Sequence, residues 1–254
     1  MCILFVALNQ HPDYSLLVCA NRDEFHQRPS LPAHFWPERH LLAGQDLQQG
    51  GTWLGVNSKG QFAALTNLRQ GLAQDSSKRS RGDLVLQALS GDQGKVAQSL
   101  RTQADQYNGF NLVFSHHSQS GDIALTSFNS HLNQLQSLSS GCHAICNGPI
   151  NQAWPKMAKG ERALEDLLKD AHPLEPEALF ALMQDKQVAP DELLPDTGVG
   201  LEWERRLSPI FIQGAQYGTR CTSLYWQDKQ GNREFWERRY DAQGQTLGTS
   251  RFVL

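Results

Sequence analysis

Apolar residues come first in short unbroken runs and later at helical spacing, so the chain is read as opening in strands and passing into helices. Residues 2–8 (Cys-Ile-Leu-Phe-Val-Ala-Leu) and 15–20 (Ser-Leu-Leu-Val-Cys-Ala) flank the turn signal His11-Pro12-Asp13 and predict an antiparallel hairpin. Residues 52–57 and 61–66 predict a second hairpin around Ser58-Lys59-Gly60. Residues 28–51, rich in Pro and Gly, are expected to be irregular, a segment of the length that often serves function. Ser80-Arg81-Gly82-Asp83 has the spacing of a capping box ahead of Leu84, Val85 and Leu89. Helical spacing returns at Val96, Leu100, Ala104 and Tyr107 until Gly109 stops it. Strands are predicted at 110–114, 123–128 and 143–147. Pro155 opens a helix with Met157, Leu164, Leu167 and Leu168 on one face, and another helix is expected over 176–183. Strands return at 209–213, 217–226, 233–240 and 248–253. Blocks of strands and helices in this order, with hairpins dominating, predict the α+β class: mainly antiparallel sheets covered by helices, in a single domain over 1–254.

Composition narrows the setting. The chain has 254 residues, 39% hydrophobic and 19% charged, and a formal net charge of −3, which suits a folded globular protein without the basic footprint of nucleic-acid or anionic-membrane binding. The apolar run at 2–8 has no basic flank and is too short for a secretory signal, and no stretch has the length of a membrane span. A cytoplasmic protein is expected. Five cysteines, an odd number, fit a reducing compartment better than a disulfide framework. Cys142, His143 and Cys146 resemble metal ligands, but on a strand His143 points away from the other two and no second cysteine pair completes a set. No metal site is expected.

The candidate chemistry gathers near the start. By position alone Cys2 reads as a small hydrophobe opening a strand. If Met1 is removed, Cys2 also carries the α-amine, whose pKa near ~8 would let one residue act as nucleophile and base. The quartet Asn21-Arg22-Asp23-Glu24 ends the next apolar run, within reach of residue 2 in a hairpin. An Arg beside a thiol favours thiolate and an Asp can orient an amine; a solvated strand end with local ion pairs would look the same.

Several motifs in order carry a resemblance: Met1-Cys2-Ile3, Ala20-Asn21-Arg22-Asp23-Glu24-Phe25 with Arg28-Pro29, Gly50-Gly51-Thr52-Trp53-Leu54-Gly55, Ala64-Leu65-Thr66-Asn67, Ser80-Arg81-Gly82, Gly109-Phe110-Asn111-Leu112 and Tyr217-Gly218-Thr219-Arg220. From residue 1 to about 226 the chain resembles the NRDE family, also called the transport and Golgi organisation protein two family. The resemblance implies a four-layer αββα sandwich of antiparallel sheets, like that of N-terminal-nucleophile hydrolases. A remoter resemblance is to cysteine members of that class, such as bile-salt and penicillin V acylases. Cys2, Arg22, Asp23, Asn147 and Arg220 follow their order, which implies Cys2 as nucleophile, Asp23 orienting its amine, Asn147 at the oxyanion, and Arg22 and Arg220 favouring thiolate or holding an anionic group. Arg22 and Asp23 are adjacent here, so on a regular strand they face opposite sides.

Two functions follow from the resemblances. The nearer one implies cytoplasmic haem trafficking: reversible binding of haem or another small amphipathic anion in an apolar slot with Trp53 or Phe25 as aromatic walls, Arg22 and Arg220 on the propionates, and delivery to haem-accepting proteins. Among nine histidines, the sequence does not choose His11 over His116, or over Cys2, as axial ligand. The remoter one implies a Cys2-dependent amidohydrolase or acyl transferase acting on a small non-peptide amide or thioester.

Overall fold

The computed structural model describes residues 2–71, 74–118, 121–149, 152–170 and 173–254. They form two compact units, each discontinuous in sequence: Met1–Gln27, Arg69–Ala73 and Ser140–Leu254 in the first, Arg28–Leu68 and Gln74–Ser139 in the second.

The first unit is built on β1 (Cys2–Leu8), β2 (Tyr14–Phe25), β10 (Gly141–Ile145), β11 (Tyr217–Asp228), β12 (Arg233–Tyr240) and β13 (Thr246–Val253). These make one six-stranded antiparallel sheet in the order β10-β1-β2-β11-β12-β13. Ile3, Phe5 and Ala7 pack with Leu17, Cys19, Cys142 and Ala144 against Met157 and Leu164 of α3 (Pro155–Asp170) and Leu179 and Phe180 of α4 (Pro176–Met183). Leu4, Val6, Leu16 and Val18, on the opposite face, are buried as well. Burial of both faces explains why the first strands read as unbroken apolar runs rather than alternating ones. Gly160 lets α3 lie close on β1: a Cβ there would meet Phe5 Cζ at 2.1 Å. A short helix, α5 (Leu201–Arg206), precedes β11.

The second unit holds β3 (Ser30–Trp36), β4 (Leu41–Asp46), β5 (Leu54–Asn57), β6 (Phe62–Asn67), β7 (Phe110–His117), β8 (Ile123–Asn129) and β9 (Gln134–Leu138), a seven-stranded antiparallel sheet in chain order. Leu84, Val85 and Ala88 of α1 (Gly82–Ala88) and Val96 and Leu100 of α2 (Gln93–Gln103) share a core with Leu41, Ala63, Leu65, Phe110 and Leu112 of this sheet. A Cβ on Gly51 would lie 2.7 Å from the Gly82 carbonyl carbon, so two of the sequence motifs meet as a backbone-to-backbone contact that only glycine permits.

The α+β class with antiparallel sheets and helices is observed, and several local expectations are corrected. Residues 28–51 are largely strand: Pro32 is tolerated because β3 is an edge strand, and the register shifts between Leu31 and His34. The capping box does not form; Arg81 is the N-cap of α1, without a side-chain bond. The segment 209–213 is not a strand. Its buried Ile210, Phe211 and Ile212 have backbone partners elsewhere: Phe211 N–H donates to Asp185 O (2.8 Å), Ile212 N–H to Thr219 Oγ1 (2.9 Å), and Ile210 O accepts from Asn21 Nδ2 (2.9 Å). Strand β9 and helix α5 have too few apolar positions to announce themselves.

Candidate functional site

Strand pairing places Cys2 beside Arg22, and Arg22 beside Cys221 on its other flank. Directly paired residues of an antiparallel sheet share a face, so Cys2, Arg22 and Cys221 form a row across β1, β2 and β11. On the remaining flank β10 pairs with β1 from Leu8–Gly141 to Leu4–Ile145 and ends there, so Asn147 follows two residues beyond the last paired position. Asn147 is buried; its side-chain oxygen accepts from the Cys146 thiol (3.4 Å) and its backbone oxygen from Arg69 N–H (2.8 Å).

The adjacency of Arg22 and Asp23 has the consequence expected of a strand. Arg22 shares the face of Cys2, while the Asp23 carboxyl turns to the other face, where Thr219 Oγ1 donates to its Oδ1 (2.7 Å). Asp23 still acts on Cys2, since its charge raises the thiol pKa and its main chain lowers it. Tyr217 fixes that stretch of main chain by donating its hydroxyl to Asp23 O (2.9 Å). Asn21, also in the quartet, is a structural pin: its Nδ2 donates to Met183 O (2.8 Å) and Ile210 O (2.9 Å), and its Oδ1 accepts from Thr222 Oγ1 (2.6 Å).

The electrostatics run against a resting thiolate. Burial raises the Cys2 pKa, the Asp23 charge adds to the rise, and Arg22 opposes it without reversing it. Burial also pushes the Asp23 carboxyl up to about 6, against the Lys156 charge and the Thr219 hydrogen bond. Cys221 rises well above the ordinary thiol range, again through burial. Cys2 is the one cysteine residue that is partly exposed; Cys19, Cys142, Cys146 and Cys221 are buried.

Arg220 is the extra residue where the β2–β11 register shifts between Thr219 and Cys221, a bulge that re-aims it. Its Nη1 donates to Phe25 O (2.9 Å) and His26 O (3.1 Å), and burial together with the nearby Arg22 charge lowers its pKa. Phe25 is 50% exposed and meets Tyr217 edge-on at 5.1 Å. Trp53 belongs to the second unit, its ring packed where a Gly44 Cβ would stand, 2.3 Å from Trp53 Cη2.

Sequence reasoning gave no role to the buried charges on the helix-side face. Lys156 donates from Nζ to Leu207 O (2.9 Å). Arg69 Nη2 lies 2.7 Å from Glu204 Oε2 while its guanidinium stacks 4.5 Å over Trp154, and Glu204 Oε1 accepts from Thr197 N (2.8 Å) and Oγ1 (2.6 Å). Lys156 was legible only as a first-turn residue after Pro155, and Arg69 and Glu204 carried no signal.

The family model described as Transport and Golgi organisation 2 matches residues 1–242. The mouse Transport and Golgi organization 2 homolog is 30% identical, covering 94% of this chain and 92% of its own, and the Drosophila melanogaster Transport and Golgi organization protein 2 is 26% identical, covering 93% and 91%. Among solved structures, the Caenorhabditis elegans N-acylethanolamine-hydrolyzing acid amidase ortholog superposes with a TM-score of 0.51 at 10% identity, over 88% of this chain and 92% of that one, a likeness of fold, of the N-terminal-nucleophile-hydrolase kind. The family match spans nearly the whole chain, so this protein belongs to the Transport and Golgi organisation 2 family.

Proposed function

We propose that the chain is a Cys2-dependent acyl-transferring hydrolase of small non-peptide amides or thioesters. The observation that carries this reading is the pairing of Cys2 with Arg22 across β1 and β2, which sets the one partly exposed cysteine residue beside an arginine. The Cys2 S–H adds across an acyl carbonyl: sulfur bonds to carbon, the proton passes through the α-amine of a processed Cys2 to the leaving amine or thiol, and a thioester remains. Water then attacks the thioester, releasing a carboxylic acid and restoring the thiol. A thiol kept protonated by burial suits this route, since an adjacent base takes the proton at the moment of attack. Asn147 and neighbouring backbone N–H groups are the donors for the oxyanion, and loss of one such donor typically costs about 10²–10³ in rate. Met1 lies outside the described residues, so its removal is the first thing to measure. Intact mass should show a chain beginning at Cys2, and a panel of N-acyl amides and acyl thioesters should yield a substrate whose turnover is lost in Cys2→Ala. A retained Met1 together with no turnover across the panel would remove this reading.

A second reading, reversible haem binding and delivery in the cytoplasm, is favoured by a different feature of the same unit. Phe25 is half-exposed, and the Arg220 guanidinium donates to its backbone oxygen, so an exposed aromatic residue and a cation neighbour each other in the chain's fold, the two features a propionate-bearing macrocycle requires. Arg220 suits this better than Arg22, which is 4% exposed. Haem titration should saturate near one equivalent with a dissociation constant of about 1 μM, weakened by Arg220→Ala and Phe25→Ala. Non-saturating uptake indifferent to both substitutions would mark adsorption instead.

A further inference from the structure

The first turn of α3 and the segments 185–190 and 208–210 line a half-open cavity of about 220 Å³, wholly within the first unit. Its walls are mostly apolar: Pro155, Val188, Ala189, Pro190 and Ile210. The Ile210 wall is fixed from behind by the hydrogen bond from Asn21. Two lysines line it, and their situations differ. Lys159 is exposed at the rim, paired with Asp185 and donating to Gln187 Oε1 (2.5 Å). Lys156 is 4% exposed, and among the described residues its ammonium has a single hydrogen-bond acceptor, Leu207 O at 2.9 Å, next to the lining residue Ser208. The Ser208 hydroxyl is already used, donating to Arg205 O (2.8 Å) and accepting from Ala189 N–H (3.0 Å). A buried ammonium with donors to spare is costly unless further acceptors reach it. Asp185 is held by Lys159 at the rim, and the buried Asp23 carboxyl on β2 is a further charge acting on Lys156, so the cavity has largely apolar walls and one buried cation with donors to spare.

We propose that this cavity is a second binding site, separate from the Cys2 row, which takes a small monoanion with a short apolar body, its carboxylate on Lys156 and its tail against Val188, Pro190 and Ile210. An apolar cavity of about 150 Å³ takes benzene, so this one holds about nine non-hydrogen atoms, the size of a short-chain carboxylate. The proposal does not rest on the acyl-transfer reading: none of the lining residues belongs to the Cys2 row, and Lys156 is linked to it only through its charge on Asp23.

Hexanoate is the probe, titrated into the full chain by calorimetry alongside 1-hexanol, which keeps the tail and removes the charge. Hexanoate should bind saturably, and 1-hexanol at least about tenfold more weakly. Val188 is 52% exposed at the cavity wall, so Val188→Trp should leave the fold intact, fill the space and abolish binding. Lys156→Met should weaken hexanoate about tenfold while leaving 1-hexanol unchanged. Hexanoate that fails to saturate, or binds Val188→Trp as well as the unaltered chain, overturns the site. Equal binding of hexanoate and 1-hexanol overturns the assignment of an anion.

Discussion

Among the described residues, the buried polar side chains of the second unit are Thr52, Asn57, Gln61, Thr66, Asn111, Ser115, Ser127 and Asn129, all neutral, whereas the first unit buries Arg22, Arg69 and Lys156 together with Asp23, Glu204 and Glu237. The neutral set has structural work. Asn129 Nδ2 donates to Asn111 Oδ1 (2.7 Å) and Asn111 Nδ2 to Thr66 Oγ1 (3.2 Å), a chain of bonds across β8, β7 and β6. Asn57 closes the β5–β6 turn with four bonds: its Oδ1 accepts from Lys59 and Gln61 N–H, and its Nδ2 donates to Gln61 Oε1 and Leu89 O. Such pairs replace water bonds one for one and cost little. Charges are different, because each carries a desolvation penalty that its partner only partly offsets. Three cations and three anions buried in one unit fit the site proposed there better than a contribution to stability.

Substitutions in the two units should therefore differ in size. The largest loss is expected for Arg69→Met, which leaves Glu204 buried without its cation and should cost about 3–5 kcal/mol in denaturant unfolding. The double variant Arg69→Met with Glu204→Met should recover much of that loss, and an equal loss in both would show that the pair itself is the stabilising feature.

Asp23→Asn sharpens the contrast through pH. Folded Asp23 keeps its proton to about 6, whereas an ordinary Asp releases it near 3.8, so folding takes up a proton between those values and stability falls as pH rises through them. This penalty is absent below 3.8 and fully present above about 6. Relative to the unaltered chain, Asp23→Asn should gain up to about 3 kcal/mol on going from pH 3.5 to pH 8. Parallel pH dependences in the two proteins would contradict the buried carboxyl.

In the second unit Asn57→Ala should cost about 1–3 kcal/mol, with no pH dependence between 4 and 8, because only neutral groups lose partners. At the bottom of the scale is the exposed pair Lys169–Asp166, where Lys169→Ala should stay within about 0.5 kcal/mol.

The same contrast explains what could be read from the sequence. Strand pairs whose residues lie close along the chain were legible, since β1 with β2 and β5 with β6 are set by short turns. Cys2, Arg22 and Asn147 were nameable because motifs mark them, and even the opposite facing of Arg22 and Asp23 follows from strand periodicity. The charges behind the site were not. Arg69, Lys156 and Glu204 lie far apart in the chain, and burial joins them only after β10, α3 and α5 have packed. Edge strands β3 and β9 were missed because an edge tolerates Pro32 and polar residues that a central strand would not.

The claim that the charged end of the first unit serves acyl chemistry at Cys2 is tested most directly by trapping the intermediate. Purified protein incubated with an activated short-chain acyl ester, quenched in acid and measured by intact mass, should carry one acyl group, mapped to the peptide that begins at Cys2 and released by neutral hydroxylamine as a thioester is. Cys2→Ala should carry none. An unmodified chain, or acylation spread over lysines and unchanged in Cys2→Ala, would contradict the account.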